Sequence, residues 1–142
     1  MQRGFSILEL LVVMALIAIC LTITMPVLAN METRYSVKSA TSTLTLDLLA
    51  MRYRAVSENA GYRLRVDAPN AYVIEKKTSG EWIERRRRVF NERVTIETNN
   101  DPVFTRDGSV TSMSTTYVGC YGRRYSKVSI AITGRVKVEK LN

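Results

Sequence analysis

The chain has 142 residues, 21 Lys+Arg against 13 Asp+Glu, a formal charge of +8, two cysteines and no histidine. That charge favours anionic partners such as nucleic acid, lipid headgroups or acidic protein surfaces. The missing histidine removes the commonest general base and neutral metal ligand. No acid pair or nucleophile motif stands out, and neither cysteine has metal-ligand spacing, so neither catalysis, a cofactor nor a metal site is expected.

The first element is a basic leader, Met1-Gln2-Arg3-Gly4, that abuts Phe5-Ser6-Ile7-Leu8-Glu9 and an apolar run whose sole charge is Glu9. An acid at the centre of a membrane helix costs about 2.5–3.5 kcal/mol, and such charges usually mark function. This arrangement resembles the class III signal of type IV pilins and pseudopilins. The resemblance implies that a prepilin peptidase cuts after Gly4, that Phe5 becomes the N-methylated terminus, and that the segment serves as membrane anchor and then filament core. Each residue has a physical reason to be there. Arg3 follows the positive-inside bias, and Gly4 lets a protease approach the extended backbone closely. A freed amino group at Phe5 has a pKa of about 7.7–8.0 and is mostly cationic. Glu9 lies four residues on, roughly 6 Å along a helix, and can pair with the amino terminus of a neighbouring subunit. That pair fixes register, because slippage leaves a buried charge unpaired.

Two plainer readings compete. A conventional signal peptide would be cut near Val27-Leu28-Ala29, but the run exceeds the usual ~7–15 apolar residues and Glu9 interrupts it. A simple anchor accounts for ~20 apolar residues and leaves Gly4 and Glu9 together unexplained.

Pro26 is expected to kink or loosen the helix. Beyond polar residues 30–36, Val37, Ala40, Leu44, Leu48, Met51 and Ala55 recur at three- and four-residue steps, one face of an amphipathic helix. Leu46, Leu49, Tyr53 and Val56 form an adjoining stripe that would widen the buried face. Asn59-Ala60-Gly61 supplies the stop. From Tyr62 the period becomes two: strands are expected at 62–66, 71–74, 82–83, 89–90, 93–97 and 103–105. Residues 109–118 would make a solvent-exposed strand, and 128–138 a terminal hairpin. Several short strands after one helix argue α+β, pilin-like: a long N-terminal helix packed on an antiparallel β-rich domain. The expected division is a leader at 1–4, a transmembrane or filament-core helix at 5–30, and a periplasmic domain at 31–142, with helix at about 36–59 and sheets at about 62–141. Cys20 falls in the anchor and Cys120 in the domain. Cys120 is either a buried thiol or open to pairing between chains.

Three short stretches resemble the GspH/FimT branch of minor pilins and pseudopilins: Leu48-Leu49-Ala50-Met51-Arg52 with Ala55-Val56-Ser57-Glu58-Asn59, Phe104 to Gly108, and Gly134-Arg135-Val136. Met51 departs from the alanine often found there, so Arg52 aligns loosely. The resemblance implies a scarce subunit near the filament tip that helps prime or cap assembly. Its implied partners are other pilins or pseudopilins, the prepilin peptidase and the assembly machinery of the bacterial inner membrane. It implies a periplasmic C-terminal domain, and either a pilus or a type II secretion pseudopilus.

Some members of the branch bind double-stranded DNA for natural transformation, and three basic features bear on that. Arg85-Arg86-Arg87-Arg88 is flanked by Glu81, Glu84 and Glu92 and reads equally as a solvated strand edge. Arg123, Arg124 and Lys127 interleave with Tyr121 and Tyr125 in an expected loop, a mix suited to phosphate contact and stacking. It suits half-buried domain tyrosines as well. Gly134-Arg135-Val136-Lys137 resembles a glycine-arginine-any-arginine motif with lysine in the second place, which keeps charge and loses the planar fork. Arg135 and Lys137 are expected on one strand face, with Val136 and Val138 inward. An ordinary hairpin with solvated charges is the competing reading.

Overall fold

The computed structural model of the chain describes residues 7–141, of 23–30 the backbone alone. The described residues form one helix, α1 (Ile7–Ser57), and eight strands: β1 (Tyr62–Ala68), β2 (Ala71–Thr78), β3 (Glu81–Val89), β4 (Val94–Thr98), β5 (Val103–Phe104), β6 (Ser114–Cys120), β7 (Arg123–Ile130) and β8 (Val136–Lys140). Two compact units divide between Tyr35 and Ser36, and α1 runs through both. Helical backbone continues through Pro26, the position where a kink or local loosening is expected.

In the second unit α1 buries Val37, Ala40, Leu44, Leu48, Met51 and Ala55, the face read from the sequence. Full burial of a Leu-sized side chain contributes about 1.5–3 kcal/mol. The adjoining stripe does not widen that face. Leu46, Leu49, Tyr53 and Val56 are exposed, at 66, 45, 74 and 52%. At 100° per residue these four centre opposite the buried row, so α1 is apolar on two opposed faces. Left-handed Asn59 ends the helix: its N–H donates to Val56 O (3.4 Å) and that of Ala60 to Ala55 O (3.1 Å), a Schellman closure with Asn as the stop.

Two antiparallel sheets, ordered β3-β2-β1-β5 and β4-β6-β7-β8, meet the buried helix face. Tyr62, Leu64, Tyr72 and Ile74 come from the first, and Val94, Ile96, Val118, Val128 and Ile130 from the second. Three strand expectations change. The arginine run does not separate two short strands but forms the middle of β3, an edge strand. Arg123, Arg124 and Lys127 lie in β7 rather than a loop. The Ser/Thr-rich stretch yields β6, an interior strand with Ser114 and Thr116 buried. Their hydroxyls are satisfied: Ser114 Oγ donates to Asn100 O (2.8 Å), and Thr116 Oγ1 reaches Thr98 Oγ1 (3.3 Å). Hydrogen bonding removes the penalty that burial of a hydroxyl otherwise carries. Cys120 is buried at the end of β6.

Candidate functional site

Gly4 and Phe5 lie outside the described residues. Glu9 stands in the first turn of α1, where a carboxylate complements the positive helix end. It is exposed among exposed Leu8, Leu10, Leu11 and Val12. Large apolar side chains remain exposed as far as Leu21, and none of them joins a buried cluster among the described residues. Among the described residues no helix is long and apolar enough to cross a membrane.

The three stretches that carried the sequence resemblance converge on Arg52. Its Nε donates to Gly108 O (3.1 Å) and its Nη2 to Thr133 O (3.2 Å), so one planar guanidinium ties α1 to two separate turns. Gly108 and Gly134 both have left-handed backbones, φ +78° and +75°. A Cβ on Gly134 would collide with Gly108 O and lie 2.9 Å from Arg52 Nε, so only glycine fits there. Asp107 stabilises the first turn: hydroxyls of Thr105 and Ser109 donate to it and hold its carboxyl below the usual range.

On the opposite flank of α1, sequence reasoning missed Asp47, a polar residue inside an apolar run. Its side chain is 8% exposed. Tyr72 Oη donates to Oδ2 at 2.8 Å, Arg88 Nε does so at 3.0 Å, and Arg86 Nη1 stands 3.6 Å from Oδ1. Burial, reinforced by the bond to Asp47, pushes the Tyr72 phenol well above its usual range. The bond to Asp47 likewise raises Arg88. Arg87 turns elsewhere, to Asp67 Oδ2 at 2.6 Å. Alternation in β3 thus parts Arg86 and Arg88, which face Asp47 of the helix, from Arg87, which faces Asp67 of β1. At the helix end Tyr62 Oη donates to Glu58 Oε2 (2.7 Å) beside Lys76 Nζ (2.5 Å). Those bonds, that of Lys76 foremost, hold the Glu58 carboxyl low. Burial and then Glu58 push Tyr62 up to about 12.

The basic residues near the C terminus do not form one patch. Arg123 begins β7, and Val136 pairs with Ile130 at its other end. Arg135, exposed in the turn before β8, is therefore about 23 Å from Arg123 along the strand direction. Glu139 lies between Lys127 (3.5 Å) and Lys137 (2.7 Å) and draws on both. Arg124 pairs with Glu97 (2.6 Å) and lies over the Tyr117 ring at 4.2 Å. Arg135 precedes β8 instead of sharing a strand face with Lys137, and of the two valines expected inward Val136 packs against the core whereas Val138 is 44% exposed. Among the described residues no group of three His, Cys, Asp or Glu side chains could hold a metal.

Residues 1–25 match the prokaryotic N-terminal methylation motif. No curated protein matches the chain in sequence. In structure it is similar to the minor pseudopilin EpsH of the type 2 secretion system of Vibrio cholerae, with a TM-score of 0.65 and 12% identity over 74% of this chain and 97% of that one. It is similar also to the type IV minor pilin FimU of Pseudomonas aeruginosa, with a TM-score of 0.60 and 20% identity over 72% and 91%. The chain carries the prepilin motif, and its long helix followed by antiparallel sheets is the pilin-like α+β fold.

Proposed function

We propose that the chain is a minor pilin or pseudopilin, a structural subunit that helps prime or cap a type IV pilus-like filament. The observation that carries this reading is the methylation motif at the head of a helix that continues into a pilin-like domain. The apolar segment around Glu9 holds the precursor in the inner membrane, with the C-terminal domain on the periplasmic side. Prepilin peptidase cuts after Gly4, and Phe5 becomes the methylated terminus. In the filament, neighbouring helices cover the apolar segment, and Glu9 pairs with the amino terminus of an adjacent subunit. The exposed stripe Leu46, Leu49, Tyr53 and Val56 offers those neighbours a second apolar face.

Mass spectrometry of the membrane-purified protein tests the processing: residues 1–4 absent and one methyl on Phe5. An N terminus at Asn30 would mean a conventional signal peptide instead. Glu9→Val should leave insertion and cleavage intact and deplete the protein from sheared filaments, since it removes an attraction that exists only between subunits. Unchanged incorporation removes Glu9 from the assembly account.

A second reading adds weak contact with duplex DNA through the β6–β7 end. Arg123 and Arg124 stand there beside exposed Tyr121, with Arg93 5.9 Å over its ring. Phosphate contacts release counterions, so affinity should fall by a log–log slope of about 0.9 per phosphate neutralised. Duplex titration at two salt concentrations, with Arg135→Ala/Lys137→Ala beside Arg123→Ala/Arg124→Ala, separates the two ends of β7. No binding at low salt sets this reading aside.

A further inference from the structure

Arg54, Arg85 and Arg86 converge with Asp47 and Ala50 on a crevice of about 20 Å³ between α1 and β3, room for one or two polar atoms. Its charges do not balance. Asp47 is committed to Tyr72 and Arg88, and Arg86 reaches it only at 3.6 Å. Arg54 and Arg85 have no carboxylate within salt-bridge distance among the described residues. Nearby Glu58 is drawn first to Lys76 and Tyr62 and only last to Arg54, which it does not reach within salt-bridge distance. One buried carboxylate thus faces a surplus of guanidinium groups, whose planar donor forks suit a carboxylate.

The crevice adjoins the exposed apolar stripe. Ala50 lines it and, by helical spacing, sits one turn from both Leu46 and Arg54 and beside Tyr53. A surface with an apolar strip on one side and unbalanced arginines on the other matches a helix of the complementary kind. We infer that this surface docks an amphipathic helix of a different subunit, whose apolar face covers Leu46, Leu49 and Tyr53 and whose flanking Asp or Glu enters the Arg54–Arg85–Arg86 crevice. The inference rests on the structural-subunit reading and names the partner's chemistry. A second copy does not fit. Residues 36–57 of this chain carry Lys38, Arg52 and Arg54 against Asp47, and the whole chain is at +8, so a copy brings cations to cations.

The test uses the full chain in phosphatidylcholine nanodiscs and three synthetic 18-residue helices with one apolar face and Glu, Gln or Lys along a flank, read by fluorescence anisotropy against empty discs. The Glu helix should bind roughly five- to tenfold tighter than the Gln helix, the Lys helix weaker than either, and added salt should erase the difference. Arg54→Gln/Arg85→Gln/Arg86→Gln should abolish the preference. Arg85→Gln alone, which breaks no salt bridge within the chain, should reduce it with the unfolding transition unmoved. Leu49→Ser/Tyr53→Ser should weaken all three helices together. Equal binding of Glu and Gln helices, or a preference that survives the triple change, overturns the proposal. So does duplex DNA that competes with the Glu helix and is lost with the same arginines, since the crevice would then be a general anion surface. Recovery of the chain in filaments is scored separately: failure there with the Glu preference intact counts against the subunit reading and leaves the crevice standing.

Discussion

The two apolar faces of α1 share composition and spacing, yet only one belongs to the fold. Val37 to Ala55 at three- and four-residue steps is buried at 4% or less, while Leu46 to Val56 on the other side is 45–74% exposed. Periodicity reports that a helix face is apolar; it does not report what covers it. The inner face is matched by two sheets of this chain, and the outer face has no match among the described residues. Exposed apolar patches of this kind mark interaction surfaces.

The largest expected effect comes from adjacent leucines on the two faces. Leu48→Ala should cost about 2–5 kcal/mol in denaturant unfolding, whereas Leu49→Ala should stay within about 0.5 kcal/mol and show itself in filament incorporation. Equal costs would mean the outer face is part of the fold after all. The next two changes probe the borders between the faces. Asp47→Asn keeps the bond from Tyr72 but leaves Arg86 and Arg88 without their carboxylate, a loss of about 1–3 kcal/mol. Gly134→Ala, strained by its φ and crowded by Gly108 O, should cost a similar ~1–3 kcal/mol, with structural change confined to the turns that Arg52 holds. Both are read from denaturant midpoints, and a neutral result at either would detach that border from the helix.

The smallest effect is a pH slope at the end of the helix. Tyr62 titrates near about 12 when folded, because it is buried and donates to Glu58, against about 10 unfolded. Its contribution is therefore complete below about pH 10 and is lost as pH rises toward about 12. Tyr72 is raised in the same direction, so Tyr62→Phe should flatten the alkaline slope of unfolding free energy without removing it. Glu58 is held low, so its contribution stands at neutral pH and is lost only in acid, below the ordinary carboxylate range.

What was legible in the sequence follows from which residues meet solvent and which meet each other. The inner helix face, the Asn59 stop and the α+β order could be read because local spacing and turn chemistry determine them. Burial of Ser114 and Thr116 could not, since it depends on acceptors at residues 98 and 100 that become neighbours only through β4–β6 pairing. Asp47 was invisible for the same reason: Tyr72 and Arg88 are 25 and 41 residues away. Joining 82–83 to Val89 in one strand required seeing that four arginines can populate an edge, where alternate side chains find Asp47 on one side and Asp67 on the other. Gly4 and Phe5, the most legible pair in the sequence, lie outside the described residues. Arg52 was noticed as part of a motif, but its role lies in two carbonyls that no local pattern announces.

Those two carbonyls lie 56 and 81 positions along the chain from Arg52. Contacts across such separations cost the most loop-closure entropy and reward a folding chain last. Arg52 therefore acts as a latch on an assembled domain rather than a seed for it. Arg52→Lys, which keeps the charge but cannot span both carbonyls, should speed unfolding and leave the refolding rate almost unmoved. On the proposed reading as a filament subunit, slow opening of the domain protects the chain as it leaves the membrane, and loss of the latch is expected to shorten that protection without altering how the domain first forms.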